Sequence, residues 1–368
     1  MAVPFFDISR QNAALKNEIT SAIQGVVDSG KYILGENVAA LEKEVAGYCG
    51  TKYAIGVASG TDALHLALKA CGIKDGDEII TTPFTFVATA EAIEYCGAKP
   101  VFVDIEPNTF NLAPLAIEKA ITKQTKAILP VHLYGQACAM DKIMAIANKY
   151  SLKVVEDCAQ SFGAVFNNVK VGAFGAAGCF SFFPTKNLGC FGDGGMIITS
   201  DDKIAAMIRT LRGHGSVKAY HYDIIGYNSR LDELQAAILR VKLPYLDSYL
   251  NARRNNASIY KKHLQLLSGV TLPFELPGGL HTFNQYTLKV KDRDLLFEHL
   301  KKEKVSAMVY YPLSLHLQAA FSRYKHNIGS FPVCESAQNE VISLPIFPEL
   351  EASELESICS SVQGFFSS

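Results

Sequence analysis

Short apolar runs alternate with helix-period segments from about residue 53 of this chain onward. Seven runs have the length and composition of β-strands: Tyr53–Ala58, Glu78–Ile80, Lys99–Ile105, Ala127–Tyr134, Lys153–Glu156, Cys179–Phe183 and Met196–Thr199. Between several of them, apolar positions recur at helical spacing, at Asp62–Cys71, Ala88–Cys96, Pro114–Ile121 and Met140–Tyr150. This alternation predicts an α/β fold with a mostly parallel sheet covered by helices.

The pattern changes after about residue 230. A long helical segment, Asp232–Tyr260, is interrupted by Pro244, and strand-like segments follow at Gln285–Val290 and Ser306–Tyr311. A helix at Ser353–Phe365 closes the chain. We therefore predict two domains, a large one over residues 1–245 and a smaller α+β domain over residues 246–368.

The composition is that of a globular protein and excludes several classes of function. Of 368 residues, 49% are hydrophobic and 19% are charged, which excludes a disordered chain. Lys and Arg total 35 and Asp and Glu total 36, so a net charge of -1 favours neither nucleic acid nor anionic lipid as a partner. The chain has no apolar run of about 18 residues, so we expect no membrane span, and its first ten residues do not resemble a secretory signal.

The nine cysteines indicate a reducing compartment. Their number is odd, no pair has the spacing Cys-x-x-Cys, and several lie in apolar stretches, such as Cys71, Cys96 and Cys179. We therefore expect buried free thiols and a cytoplasmic protein. The nine histidines and the cysteines form no pattern with zinc-like spacing, so we expect no metal site.

Three polar segments follow predicted strands, at the sheet edge where parallel sheets bind ligands. Ser59-Gly60-Thr61 precedes a helix, whose free N–H groups and dipole favour an anion. Asp157 ends a buried strand, where a carboxylate needs a cation. Lys186 lies between apolar stretches, and burial would lower its pKa and make its amine nucleophilic.

Each segment alone has a structural explanation: a helix cap, a salt bridge or an exposed charge. Together they match the requirements of pyridoxal phosphate. Its phosphate needs N–H donors, its ring nitrogen needs a carboxylate, and its aldehyde needs a lysine.

Four segments then resemble the motifs of the DegT/DnrJ/EryC1/StrS family in the family's order and spacing: Ser59–Leu64, Glu156–Gly163, Ser181–Lys186 and Tyr227–Asp232. Members are pyridoxal-phosphate-dependent sugar aminotransferases of the aspartate-aminotransferase fold (fold type I), so the resemblance implies a large domain with a seven-stranded sheet. It extends from Phe5 to the last helix. Some members carry His in place of Lys186 and act as sugar dehydratases, so Lys186 favours an aminotransferase.

The resemblance also implies roles for individual residues. Lys186 binds the cofactor aldehyde and moves the proton, Asp157 pairs with the ring nitrogen, and Gln160 lies near the phenolic oxygen. The remaining cofactor contacts are Gly60, Thr61 and Ser181 at the phosphate, Phe86 stacked on the ring, and Asn228 at the phosphate of the neighbouring subunit's cofactor. The last contact implies that the active unit is a homodimer.

The implied reaction moves an amino group, from L-glutamate in most members, to a keto-sugar linked to a nucleotide diphosphate, and leaves 2-oxoglutarate. Phe283–Thr287 resembles members that aminate C3 of a UDP-linked 2-acetamido-3-oxo sugar or uronate, which implies a role in making precursors of lipid A, lipopolysaccharide or other cell-surface polysaccharide. Amination at C4 and dTDP-linked substrates remain open. Candidate sugar contacts are Arg230, Tyr310, Tyr311 and His316, although many relatives carry His at position 310.

Two other classes of function remain as alternatives. Ala159–Gly163 follows a strand and nearly matches the serine-hydrolase motif Gly-x-Ser-x-Gly, but the first glycine is missing and no triad is evident. The other alternative is a non-catalytic regulator built on the same scaffold.

Overall fold

The structure is a computed structural model that describes residues 2–218 and 220–367. Its helices are α1 (Ile8–Ala14), α2 (Lys16–Ser29), α3 (Glu36–Cys49), α4 (Gly60–Ala70), α5 (Ala88–Tyr95), α6 (Pro114–Ala120), α7 (Met140–Tyr150), α8 (Asp202–Arg212), α9 (Glu233–Lys242), α10 (Leu246–Leu264), α11 (Arg293–Lys302), α12 (Pro332–Glu340) and α13 (Ala352–Ser367). Its strands are β1 (Tyr53–Val57), β2 (Glu78–Thr81), β3 (Lys99–Phe102), β4 (Thr125–Ile128), β5 (Lys153–Asp157), β6 (Val165–Phe166), β7 (Val169–Lys170), β8 (Ala177–Ser181), β9 (Gly195–Thr199), β10 (Ser216–Lys218), β11 (His221–Tyr222), β12 (Val270–Thr271), β13 (Gly279–Leu280), β14 (Tyr286–Val290) and β15 (Val341–Leu344).

The largest sheet has seven strands in the order β1-β9-β8-β5-β4-β2-β3. The strands from β8 to β3 pair in parallel, whereas β9 runs antiparallel to both of its neighbours. The prediction of a mostly parallel α/β sheet is therefore confirmed. Because the parallel strands end at one edge, the segments that follow β5 and β8 lie side by side there.

Helices cover both faces of this sheet. Ile55 and Ile197 face a core shared with α4, α5 and α8, while their neighbours Ala54 and Ile198 face a second core shared with α3, α7 and α9. Successive residues of a strand point to opposite faces, so a doubly covered strand must be apolar at every position. This explains the continuous apolar runs in the sequence.

The C-terminal part has its own three-stranded antiparallel sheet, β12-β14-β15. It packs with α10, α11 and α13 around a core that includes Tyr260, Leu288 and Ile358, and Val3 from the start of the chain joins that core. Pro244 lies in a short 3-10 helix, Leu243–Tyr245, between α9 and α10. The domain boundary near residue 245 stays a prediction.

Four predicted strands differ from the structure by two residues or more at one end. Lys99–Ile105 ends at Phe102, Cys179–Phe183 lies over Ala177–Ser181, and the other two differ more. In the run Ala127–Tyr134 the regular strand ends at Ile128. Pro130 has no N–H to donate, Val131 contributes only an isolated parallel bridge to Asp157, and residues 133–135 form a 3-10 helix. Ser306–Tyr311 contributes only an isolated bridge from Met308 to Ser343, since the Tyr310 carbonyl accepts a hydrogen bond from the Tyr134 hydroxyl instead of a ladder partner. Three helices before β1 were not predicted.

Across the described ranges, no helix combines the length and the apolar character needed to cross a membrane.

A prediction about stability concerns the close packing beneath β8. A Cβ at Gly178 would lie 2.3 Å from the Cα of Gly172, whereas a Cβ at Gly47, in α3, would meet nothing within 4 Å. We expect Gly178→Ala to lower the free energy of unfolding by about 1–3 kcal/mol. The control Gly47→Ala should raise it by about 0.5–1 kcal/mol, because alanine favours the helix. Urea unfolding measures both, and equal midpoints would contradict this packing.

Candidate active site

An anion-binding geometry forms where β1 meets α4. Ser59 caps the helix, and its Oγ accepts a hydrogen bond of 3.1 Å from the N–H of Asp62. The N–H groups of Gly60 and Thr61 lie in the first turn, where the helix itself supplies no carbonyl acceptor. These donors and the helix dipole therefore point toward one place outside the helix.

Small residues bring three strand ends together at this anion-binding place, which we call the anion cradle: the first turn of α4 at Gly60 and Thr61, and the neighbouring Ser181. A Cβ added to Gly60 would lie 2.7 Å from the Cβ of Ser181, at the end of β8. A Cβ added to Gly195, at the start of β9, would lie 2.2 Å from the carbonyl oxygen of Ser59. Glycine at both positions thus places the Ser181 hydroxyl beside the first turn of α4, as a phosphate group would require.

The Asp157 carboxylate lies at the end of β5 with only 4% of the residue exposed. Its Oδ1 accepts from the N–H of Ala159 at 3.1 Å, and its Oδ2 accepts from the Thr89 hydroxyl at 2.8 Å. Burial raises the pKa of Asp157, while these two donors and the Lys186 charge oppose that rise. The ionised carboxylate is therefore best stabilised by a further cationic group.

Lys186 lies in the loop after β8, and its own N–H bonds to the Phe183 carbonyl at 2.9 Å. The next residue, Asn187, is buried and donates to the Phe162 carbonyl at 3.3 Å, which ties the loop to the core. Burial lowers the pKa of Lys186 to about 8, although the Asp157 charge opposes this shift. A neutral, nucleophilic amine is thus accessible near neutral pH.

Gln160 links three parts of the chain. Its Oε1 accepts from the N–H of Tyr134 at 2.8 Å, and its Nε2 donates to the Tyr311 hydroxyl at 2.9 Å. An amide carries two N–H donors, so this orientation leaves a second one for a bound oxygen. The ring centroids of Phe86 and Tyr311 are 6.5 Å apart, and Phe86 is 57% exposed, which makes an aromatic surface available to a flat ligand.

The candidate sugar contacts have different surroundings. Tyr310 and Tyr311 are partly buried, and Tyr311 belongs to the Gln160 network. Arg230 is partly exposed, and Asn228, two residues before it, is exposed. His316 is buried, with its Nε2 3.1 Å from Glu335 Oε1 and its Nδ1 without a hydrogen-bond partner among the described residues.

Sequence reasoning missed three contributors to this site: Thr89, Tyr134 and Ser229. Thr89 bonds to a residue 68 positions away, a contact that no local motif could reveal. Tyr134 uses its backbone N–H, so its side-chain type gave no signal. Ser229 lies within a recognised motif, and its hydroxyl donates to Asp62 at 2.7 Å, which brings that motif beside the cradle.

The serine-hydrolase alternative lacks an accessible nucleophile. Ser161 is fully buried, and no hydrogen-bond partner for its hydroxyl exists within residues 2–218 and 220–367. A catalytic serine needs a base within hydrogen-bond reach. The residues at the strand ends instead fit pyridoxal phosphate, because an anion cradle, a buried carboxylate, an amine of lowered pKa and an exposed aromatic ring meet at one edge.

Comparison with known proteins agrees with this fit. The model of the DegT/DnrJ/EryC1/StrS aminotransferase family matches residues 13–363. A UDP-N-acetyl-3-dehydro-alpha-D-glucosamine 3-aminotransferase of Acidithiobacillus ferrooxidans is 47% identical over 98% of this chain and 97% of its own. A dTDP-3-amino-3,6-dideoxy-alpha-D-galactopyranose transaminase of Aneurinibacillus thermoaerophilus is 44% identical over 99% of each. A protein of Geobacillus stearothermophilus named a pleiotropic regulatory protein is 48% identical over 100% and 99%.

Solved structures are similar over the whole chain. DesV of Streptomyces venezuelae superposes with a TM-score of 0.98 at 41% identity, covering 100% of this chain and 99% of that one. NtdA of Bacillus subtilis, with its bound cofactor PMP, superposes with a TM-score of 0.94 at 32% identity, covering 100% and 86%. The fold is thus that of pyridoxal-phosphate-dependent aminotransferases, and pyridoxal 5'-phosphate is the cofactor.

The lowered pKa of Lys186 leads to a test that needs no cofactor. With a pKa of about 8, about a tenth of the amine is neutral at pH 7. Reductive alkylation of the apoprotein by acetaldehyde and cyanoborohydride should therefore speed up at Lys186 until about pH 8 and then level off. Mass spectrometry resolves the sites, and the exposed Lys142 monitors the reagent in the same sample.

Asp157→Asn supplies the matched variant. Its charge holds the pKa of Lys186 up, so removing it should move the break in the rate profile to lower pH. A break at the pH typical of an exposed lysine, or no response to Asp157→Asn, would show that the two groups do not interact in this way.

Proposed function

Since the chain belongs to the DegT/DnrJ/EryC1/StrS aminotransferase family, we propose that this sugar aminotransferase transfers an amino group from L-glutamate to C3 of a UDP-linked 2-acetamido-3-oxo sugar or uronate. The observation that carries the aminotransferase chemistry is the pair of Asp157 and Lys186 beside an anion cradle. The sugar preference is supported by Phe283–Thr287 and by the name of the Acidithiobacillus ferrooxidans relative. A dTDP-linked sugar or amination at C4 is the alternative.

Three residues of this chain have separate roles in the proposed reaction. Bound pyridoxal phosphate supplies an electron sink that acidifies the C–H bond next to the amino group. Lys186 Nζ would accept that proton and then donate it to the cofactor carbon that carried the aldehyde oxygen. A pKa of about 8 suits an amine that both accepts and donates a proton near neutral pH. With the cofactor bound, Asp157 would keep the ring nitrogen protonated, and the second N–H of Gln160 would be available to the phenolic oxygen.

We assign the remaining cofactor contacts as follows: Gly60, Thr61 and Ser181 hold the phosphate, and Phe86 covers the ring. For the sugar, Tyr311 offers its hydroxyl and Arg230 its guanidinium, which suits a diphosphate. Tyr310 lies beside Tyr311. His316 is buried against Glu335, so it would contact a sugar only after Leu315–Leu317 moved.

A regulatory function is the second candidate, because one relative is named a pleiotropic regulatory protein. A regulator on this scaffold has no need of an amine whose pKa burial lowers to about 8 beside a buried carboxylate. The retained Lys186 and Asp157 therefore favour catalysis.

A symmetric homodimer is the proposed active unit. Asn228 is exposed, and the adjacent Ser229 bonds to Asp62 beside the anion cradle. Just before it, exposed apolar side chains cluster on the hairpin and its exit: Val217, Tyr220, Tyr222, Ile224 and Ile225. Exposed apolar patches next to a polar site are typical of subunit interfaces. We therefore propose that Asn228 reaches the phosphate of the partner's cofactor.

We also place the enzyme in the cytoplasm, in the synthesis of precursors for lipopolysaccharide, lipid A or other surface polysaccharide. All nine cysteines are free and eight of them are buried, as a reducing compartment favours. UDP-linked amino sugars are the class of product that such pathways would consume.

The proposed reaction is tested by supplying L-glutamate with UDP- or dTDP-linked 3-keto and 4-keto sugars. We expect 2-oxoglutarate and an aminated UDP-sugar from the 3-keto 2-acetamido substrate. Lys186→Ala should lower turnover by roughly three powers of ten or more, because nucleophile and proton carrier are lost together. The exposed Lys142→Ala is the control. Near-normal turnover of Lys186→Ala would reject the assignment, and a preference for dTDP-sugars would replace the substrate.

The shared site is tested by subunit mixing. Lys186→Ala and Asn228→Ala protomers are exchanged, and half of the sites in each heterodimer then hold both native residues if Asn228 acts across the interface. Each heterodimer should then show about half the activity of a native dimer, because one of its two sites is native. Lys186→Ala mixed with Asp157→Asn is the control, since those residues act in one protomer and no rescue is expected. If the first mixture stays inactive after verified exchange, Asn228 acts only within its own subunit or shapes its turn.

A further inference from the structure

A closed polar cluster lies directly behind the proposed cofactor site. His132, Glu156 and Cys158 are buried, and their potential ligand atoms lie within 4.8 Å of one another. The Nε2 of His132 is 3.0 Å from Glu156 Oε2, and its Nδ1 accepts from the N–H of Cys138 at 3.0 Å. Because Nδ1 uses its lone pair in that bond, the proton of the imidazole lies on Nε2, which donates to Glu156.

Glu156 is saturated by donors rather than open to a metal ion. Besides His132, it accepts from the N–H groups of Gly172 at 2.7 Å, Phe174 at 2.8 Å and Gly175 at 2.8 Å. Four hydrogen bonds fix the position of this fully buried side chain. The cluster therefore holds in place the residue that directly precedes Asp157 in β5.

His132 bonds to both acidic residues. Its ring bonds to the Glu156 side chain, and its backbone N–H donates to the Asp157 carbonyl at 3.0 Å. The Asp157 N–H in turn donates to the Pro130 carbonyl at 2.9 Å. Since successive side chains of a strand point to opposite sides, holding Glu156 on one side fixes the direction of Asp157 on the other.

We propose that His132 is a positioning residue that directs the Asp157 carboxylate at the ring nitrogen of the cofactor, by way of Glu156. The His132 ring holds the Glu156 side chain on one side of β5, and the His132 N–H holds the Asp157 carbonyl, so the Asp157 side chain stays directed to the opposite side. The inference rests on the proposed cofactor role of Asp157.

The test measures the ring nitrogen itself. Apoprotein is reconstituted with 15N-labelled pyridoxal phosphate, and the 15N chemical shift reports whether that nitrogen is protonated. His132→Gln keeps an N–H that can reach Glu156, whereas His132→Met has similar length and no donor. We expect the native-like shift with His132→Gln, a move toward the unprotonated value with His132→Met, and about tenfold weaker cofactor binding in the latter.

The control is His281→Met. His281 is also buried, and its Nδ1 also accepts a backbone N–H, that of Phe283 at 2.9 Å, but no hydrogen bond in the described part of the chain links it to Glu156 or Asp157. Loss of stability without a change in the 15N shift is expected there. An unprotonated ring nitrogen in the native protein would reject the proposed role of Asp157. A protonated one that His132→Met leaves unchanged would reject the role of His132 alone.

Folding is monitored by thermal melting of each apoprotein. If His132→Met does not fold, His132→Asn replaces it, because asparagine keeps an acceptor for the Cys138 N–H but is too short to reach Glu156. If no variant without the donor folds while His132→Gln does, the bond serves folding and the positioning role is rejected.

Discussion

The burial of one carboxylate, that of Asp157, is the constraint on which the rest of the site depends. An ionised group at the end of a central strand is stable only with donors around it and a cation in front of it. Thr89 and the N–H of Ala159 supply the donors. Burial raises the pKa of Asp157, and these donors oppose that rise, whereas burial lowers the pKa of Lys186 to about 8 and so makes its neutral amine accessible near neutral pH.

The remaining parts of the site follow from how three strands end. Gly60 and Gly195 permit contacts that any larger residue would prevent, and the first turn of α4 consequently lies open beside Ser181. Because the donors of this cradle come from the backbone, the anion site depends on strand packing as much as on residue type. Gln160 and Tyr311 then connect the large sheet to the C-terminal part of the chain, so packing of that part also orients the amide.

The pattern of residue types along the sequence was sufficient to predict several features of the fold. Continuous apolar runs required a doubly covered sheet, because each strand is buried on both faces. Polar residues directly after apolar runs indicated Asp157 and Lys186, because ligands of parallel sheets bind beyond the strand ends, and the family resemblance added Gln160; their roles toward the cofactor stay predictions. Pro244 likewise marked the break between α9 and α10.

Other features were decided only in three dimensions. Thr89 reaches Asp157 across 68 positions, and the ring of His132 meets Glu156 across 24, distances over which local sequence carries no signal. The segment 306–311 has the composition of a strand, yet its backbone bonds to Tyr134 and Ser343 instead of a full ladder. Residue types set the local preferences of this chain, but which groups met at the sheet edge depended on how the strands packed, because hydrogen-bond partners come from whatever lies nearby in space.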